Sequence, residues 1–275
     1  MSQQVGECPL CHSGMRSQVA PELYYCTKCH IVYNTGHRIE TYEQKYFMDD
    51  YRKQYGKTYE EDFQVIYNSS NKRLDRIFSL IPKGSKSVSL SLLDIGSAFG
   101  YFLQCARDRG IQKVRGVEIS RFASQFCRDH FLIDVDTIRF PEMKPAGTYD
   151  IITAWYFIEH TESPPDTIKS IYSMLNPGGV IAFSAPSIHG PMFQFHRNQW
   201  IDEHPGDHRM DFSPAAVKMI LSDIGFKKIQ LSPSGFHPER IISSESLLFR
   251  PFRFVYRWIA EWAVYSDTIE VYAVK

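Results

Sequence analysis

The sequence has no surplus of charge. Thirty-one lysines and arginines face 31 acidic residues, for a formal net charge of zero. Nothing in that balance draws the chain to a polyanion, so no nucleic-acid partner is expected. No apolar run approaches the roughly 20 residues of a membrane span. The opening residues, MSQQVGECPLC, lack the apolar stretch of a secretory signal, which makes a cytoplasmic location the expectation. A disulfide framework is missing too. The six cysteines fall as two Cys-x-x-Cys pairs plus isolated Cys105 and Cys127, a pattern of metal binding. What is present is 43% hydrophobic and 14% aromatic residues in a chain of 275, enough for one large domain with ring-lined pockets plus something small.

Cys8-Pro-Leu-Cys11 and Cys26-Thr-Lys-Cys29 lie 14 residues apart. Each pair sets two thiolates on one tight knuckle, and two knuckles complete a tetrahedral four-cysteine site for structural zinc. LYY, just before the second knuckle, suits a short strand in a zinc ribbon over residues 1–36. So short a ribbon has almost no core, and the metal would supply its folding energy. A redox dithiol pair, or His12 or His30 as a substitute ligand, are the alternatives. Four thiolates leave no open position for catalysis by the metal.

Residues 37–84 form a polar, tyrosine-rich segment in which Phe63, Ile66, Leu74, Ile77, Phe78 and Ile81 suit helices with one buried stripe. Pro82 and Lys83-Gly84-Ser85 end it. This segment either packs on the sheet domain or serves as a lid through Tyr46, Phe47, Tyr51 or Tyr55.

The chain is organised around LLDIGSAFG, Leu92 to Gly100: a strand, a tight turn, then a helix over YFLQCARDRG that stops at Gly110. The first glycine permits the turn, and the last lets the helix pack close to the strand. Amides at the new helix's N-terminus favour an anion. Eighteen residues beyond Gly100 stands Glu118, at the tip of the second strand, where an acid grips ribose hydroxyls in nucleoside-binding α/β folds. Strand and helix then alternate. Ser120 caps the next helix, FLIDVDTIRF is the third strand with Thr137 or Ile138 placed against an adenine, and Tyr149 to Phe157 is the fourth. A helix over Ser163 to Leu175 stops at Asn176-Pro177-Gly178-Gly179 before the fifth strand, Val180 to Ala185. The long stretch from Pro186 to Pro214, rich in His, Pro and aromatics, has the character of a substrate-site loop. Ser213 caps a helix ending near Gly225, and strands from Phe226 and at TIEVYAV close the sheet. Residues 247–265, with Arg250, Arg253 and Arg257 among apolar residues, are core, an active-site wall, or a stretch lying on a membrane surface. Pro251 is expected to interrupt a continuous helix there.

The spacing DxGxxxG at Asp94, Gly96 and Gly100 resembles motif I of the class I S-adenosylmethionine-dependent methyltransferases, with Ala98 where many members carry glycine. Glu118, YDIITAWYFIEH and LNPGG follow in that family's order, so the resemblance spans roughly residues 88–232. It implies a Rossmann-like, seven-stranded, mostly parallel sheet with helices on both faces over residues 85–275, and S-adenosylmethionine as cofactor. Asp94, Gly96, Ser97, Ala98 and Gly100 would surround its methionine end. Glu118 with Ile119, Thr137 with Ile138, and Ala154 with Trp155 complete the expected cofactor set. Similar small-molecule O-methyltransferases carry a Glu-His pair on the substrate side, which implies Glu159 and His160 here. An acid followed by His and a Phe-Ser cap implies His208, with Asp207 beside it. His189, His196 and His204 are weaker candidates for the base, and Trp155 and Trp200 are expected as pocket walls.

The activity so implied is methylation of a small molecule, most simply at oxygen. Two rivals remain. Some similar nucleotide-sugar C-methyltransferases also begin with a four-cysteine zinc site, although those chains carry a large additional C-terminal domain. A scaffold protein keeping the fold without turnover is the other. A nicotinamide dehydrogenase fails on the glycine spacing.

Overall fold

The computed structural model describes residues 7–38, 43–82 and 89–275, apart from the side chains of Asp50, Gln54 and Tyr55. The lid candidacy of Tyr55 and the expected stop at Lys83-Gly84-Ser85 therefore lie outside the described residues.

Seven strands form one sheet: β4 (Ser91–Ile95), β5 (Lys113–Val117), β6 (Val135–Asp136), β7 (Tyr149–Trp155), β8 (Leu175–Pro186), β10 (Lys227–Ser234) and β11 (Thr268–Val274). Their order is β10-β11-β8-β7-β4-β5-β6. β4 runs parallel to both β5 and β7, and β5 parallel to β6. Chain order reverses at β4, between β5 and β7, which is the switch point where α/β sheets open a crevice beyond their strand ends. A separate four-stranded sheet joins β1 (Arg16–Ala20), β2 (Leu23–Cys26) and β3 (Ile31–Asn34) to β9 (Met210–Asp211). By its contacts the chain divides into two compact units. One comprises Met1–Ile39, Ile158–Ile168 and Ser184–Val271; the other comprises Glu40–Phe157, Lys169–Phe183 and Tyr272–Lys275.

The unit holding β4 is built on central strands that are apolar on both faces, as strands of a parallel sheet must be: Leu92, Leu93, Ile95, Ile151, Ile152 and Ala154 are all fully buried. Helix α2 (Phe63–Leu80) turns its stripe of Leu74, Ile77 and Leu80 onto that core beside Phe102 and Leu103 of α3 (Tyr101–Asp108). Ser70 and Arg73 share its buried face, and the Arg73 guanidinium lies 4.1 Å over the Trp155 ring. Ahead of α2, α1 (Tyr51–Tyr55) and a π-helical turn at Tyr46–Asp50 deliver Phe47 into a second aromatic core with Phe99 and Tyr101. Phe47 stacks on Phe99 at 4.9 Å and Phe99 on Phe126 at 4.2 Å.

Several elements differ from expectation. Beyond α4 (Arg121–Phe131), Leu132 adopts a left-handed cap and only Val135–Asp136 pairs, so the third strand is two residues where ten were expected. α5 (Pro164–Met174) ends as expected, but Asn176 to Gly179 already belong to β8, where Lys275 N–H donates to the Gly179 carbonyl at 2.9 Å. α9 (Phe249–Ala263) runs unbroken through Pro251. The proline sits in the first turn, where its missing N–H would have had no intrahelical partner.

Gly100 corrects a detail of the turn. Its φ is +80°, and an added Cβ would collide with Cys127 Sγ on α4. The last glycine admits a neighbouring helix's cysteine, and Cys127 is that wall. Replacing Gly100 with alanine should destabilise the protein by about 2–4 kcal/mol, combining overpacking with left-handed strain. Urea unfolding would show a lower midpoint at unchanged slope; an unmoved midpoint contradicts this packing.

Candidate functional site

Two clusters of polar groups, one in each unit, match the residues singled out in the sequence. The first is the turn after β4. Gly96 (φ +72°) and Ser97 both donate their N–H groups to the Val117 carbonyl, at 2.8 and 3.0 Å, which folds the turn back onto the tip of β5. Ala98 follows with φ +46°, a left-handed conformation that an alanine adopts only at a cost. The family's usual glycine would relieve it. Holding Ala98 there is Glu118, just beyond β5. One carboxylate oxygen accepts from Ala98 N–H at 2.9 Å and the other from Ser120 N–H at 2.8 Å. Glu118 is 6% exposed. Burial pushes its pKa up, and the backbone N–H groups oppose that rise. A carboxylate has about four acceptor sites, so capacity remains beyond these backbone bonds for a ribose hydroxyl.

Asp94 lies inside the strand rather than in the turn. It is 2% exposed and accepts from Thr153 Oγ on β7 at 2.5 Å. Burial pushes its pKa up to about 7, against the Thr153 hydrogen bond and the Arg73 charge. Ser97 Oγ is buried with no partner among the described residues, a hydroxyl at the turn with hydrogen-bonding capacity to spare. Ile119 is half-buried beside Glu118, while Ala154 is fully buried in β7. Thr137 is exposed, 2.9 Å from Ser124 Oγ; Ile138 follows it, half-buried. The Trp155 ring is held by Phe102, Tyr272 and Arg73, with no buried partner for its N–H among the described residues. Burial of Tyr59 in the aromatic core also raises its pKa.

The second cluster belongs to the other unit. Glu159, His160 and His208 bring their potential ligand atoms within 4.8 Å of one another. Glu159 is 1% exposed, its Oε2 has no partner among the described residues, and burial raises its pKa. His160 Nδ1 lies 3.0 Å from Asp207, and His208 Nδ1 lies 3.2 Å from Asp211. Asp211 also takes His204 Nε2 at 2.7 Å. Burial lowers the His208 pKa, but its hydrogen bond to Asp211 and the surrounding carboxylate charge outweigh burial and leave it raised. Asp211 is driven well below the carboxylate range by its two histidines, despite burial. His204, His208 and Asp211 form an overlapping group with ligand-like spacing.

Asp211 was not foreseen, nor was Arg209, whose N–H donates to the Glu159 carbonyl at 2.6 Å and whose guanidinium donates to the Asn34 carbonyl. The available signal was the spacing His208-x-x-Asp211, with His204 seven residues before Asp211. Asp211 lies on β9 and pairs with Val32 of β3. The remaining histidines are elsewhere. His196 bonds the Arg240 carbonyl, and His189 packs edge-on against Tyr265 at 5.5 Å. Trp200 packs against Phe193 and His204. The long loop after β8 folds into α6 (Pro191–Phe195), α7 (Arg197–Asp202) and β9, followed by α8 (Pro214–Ile224) capped by Ser213. With Tyr25 and His30 this loop walls a cavity of about 480 Å³ lined also by His189, Phe193 and Arg197. That volume suits a small ligand. Glu159, His160 and His208 are not among its lining.

The four sulfurs of Cys8, Cys11, Cys26 and Cys29 lie within 4.8 Å of one another, and all are free thiols. The knuckles repeat one geometry: His12 and His30 each follow the second cysteine or its partner pair's last residue at φ 55° and donate their N–H to the first cysteine's carbonyl at 2.9 Å. Burial pushes the Cys8 thiol up to about 12, while hydrogen bonds from the neighbouring cysteines and Ser13 lower Cys11 against burial; four sulfurs this close form the donor set of a tetrahedral metal site. His30 Nδ1 is engaged by Tyr25 OH at 2.7 Å.

Comparisons with known proteins agree with the fold. A methyltransferase from Archaeoglobus fulgidus, described as S-adenosylmethionine-dependent, superposes at TM-score 0.53 with 16% identity, covering 82% of this chain and 98% of that one. Magnesium protoporphyrin IX methyltransferase of Synechocystis, solved with bound S-adenosylhomocysteine, gives 0.52 and 15%, covering 84% and 97%. Among curated relatives, a ubiquinone biosynthesis O-methyltransferase of Ralstonia nicotianae is 25% identical over 45% of this chain and 52% of its own. A tRNA U34 carboxymethyltransferase of Pseudoalteromonas translucida is 27% identical over 55% and 49%. The chain thus spans about half the length of these relatives. Residues 63–231, more than half of the chain, match the family model described as a methyltransferase domain. With the strand order above, the fold is that of the class I S-adenosylmethionine-dependent methyltransferases, and the chain belongs to the methyltransferase-domain family.

Proposed function

We propose that the chain transfers the methyl group of S-adenosylmethionine to a hydroxyl of a small molecule. The observation that carries this reading is the buried Glu118 carboxylate, fastened to the left-handed Ala98 turn with acceptor capacity left over. That arrangement suits a ribose diol, and the Ser97 hydroxyl, unpartnered among the described residues, suits the methionyl end. Asp94, poised near neutrality by burial, gains its charge when a cationic ammonium approaches. The cofactor, when bound, supplies an electrophilic methyl. The protein's own work is alignment, which alone is worth about 7–11 kcal/mol, and handling of the acceptor's proton.

His160 takes that proton in this reading. Asp207 accepts from Nδ1 and so fixes the tautomer whose Nε2 carries the lone pair. Glu159 and His208 supply the charge around it. Oxygen is favoured because a hydroxyl needs such a base. The four-cysteine cluster holds structural zinc, its closed donor set keeping the metal out of the chemistry.

Incubation with labelled S-adenosylmethionine and a panel of phenols and sugar hydroxyls should yield a labelled ether. His160→Gln should then lower kcat by about 10²–10⁴ at an unchanged KM for the donor. A labelled carbon, or full activity in the variant, overturns the oxygen reading or the role of His160 respectively. Metal analysis of the purified chain should find one zinc per chain, lost in Cys26→Ser together with the ribbon's protection from proteolysis; a metal-free wild-type chain with an intact ribbon contradicts the assignment.

A further inference from the structure

The outer face of α9 is apolar and faces solvent. Phe254 (80% exposed), Trp258 (70%) and Trp262 (81%) follow one another at intervals of four residues, which on a helix is a single line. Val255 and Ile259 widen the line on one side, and Leu247 and Leu248 extend it before the helix begins. The opposite face is anchored: Tyr256 and Ala260 are buried, and Phe252 and Tyr265 pack around Tyr256. Isolated exposed apolar residues need no explanation, but a continuous stripe with two tryptophans marks a contact surface.

The charges decide which contact. Arg250, Arg253 and Arg257 lie along one edge of the stripe, against Glu261 as the helix's only acid. Glu261 pairs with Arg257 at 3.1 Å. Arg250 and Arg253 are exposed and form no ion pair among the described residues. Aromatic residues and Arg are enriched at protein interfaces too, but cationic side chains without an acidic partner favour an anionic surface. Here the rim is cationic on one edge, and the stripe carries the aromatic residues that settle at headgroup depth. No helix among the described residues is long and apolar enough to cross a bilayer, so the geometry is that of a helix lying in the plane of the surface.

From these observations we infer that α9 docks the protein on an anionic lipid surface, with Phe254, Trp258 and Trp262 entering the headgroup boundary and Arg250 and Arg253 on the lipid phosphates. This inference stands apart from the choice of methyl acceptor.

The test is vesicle flotation of the full chain with phosphatidylcholine alone and with added phosphatidylglycerol, alongside tryptophan emission. Binding is expected only with phosphatidylglycerol, with a blue shift, and it should weaken in salt. Arg250→Gln and Arg253→Gln should each cost about fivefold in partitioning. Trp258→Ser with Trp262→Ser should remove binding, while circular dichroism and thermal melting stay at wild type because both side chains are solvent-exposed. Equal binding to both vesicles, or no flotation of folded protein at low salt, overturns the inference. So does a self-associating chain whose dimer, in the absence of vesicles, is broken by the tryptophan variant, since the face would then belong to a second copy.

Discussion

A buried carboxylate must replace the water it has lost, because the effective penalty for an unpaired ion is several kcal/mol. Glu118 meets that demand with two backbone N–H groups, one from the turn after β4 and one from the start of α4. The rest of the strand-tip architecture depends on this pair of bonds. They hold Ala98 in a conformation its own side chain disfavours, and they carry the β4–β5 pairing, which ends at Ile95 and Val117, into the two loops beyond it. The aromatic core of Phe47, Phe99 and Phe126 packs around the same turn, so a mobile turn would also expose rings.

Asp211 plays a comparable part in the other unit. It is a strand residue of the four-stranded sheet, and it is also the common partner of His204 and His208. The cysteine knuckles shape β2 and β3, β3 pairs with β9, and β9 sets the position of the carboxylate. Arg209 adds a second link, joining Asn34 to Glu159 through its main chain and guanidinium. The cysteine-bearing strands are thereby part of the histidine cluster's support.

Much of this was legible in the sequence because it rests on local rules. The glycine turn, the Ser120 and Ser213 caps, the apolar central strands and the cysteine pairs each declare themselves through spacing. What stayed hidden depends on contacts between distant segments. The pairing of β9 with β3 joins Asp211 to Val32, far apart in the chain, and no periodicity marks two residues as a strand. Trp155 reads as a pocket wall by position, yet Arg73 from α2 covers its ring. The third strand was overestimated because an apolar run does not reveal that Leu132 will leave the helix in a left-handed turn. Pro251 was misread because its effect depends on where the helix starts, and it falls in the first turn of α9.

The most direct test of the central claim is calorimetric binding of S-adenosylhomocysteine to the folded wild-type chain and to Glu118→Ala. The account expects micromolar binding by the wild type and a loss on the order of 1.5–3 kcal/mol in the variant, the worth of hydrogen bonds to a charged group. Absence of binding by the wild type, or equal affinity in both, would contradict it.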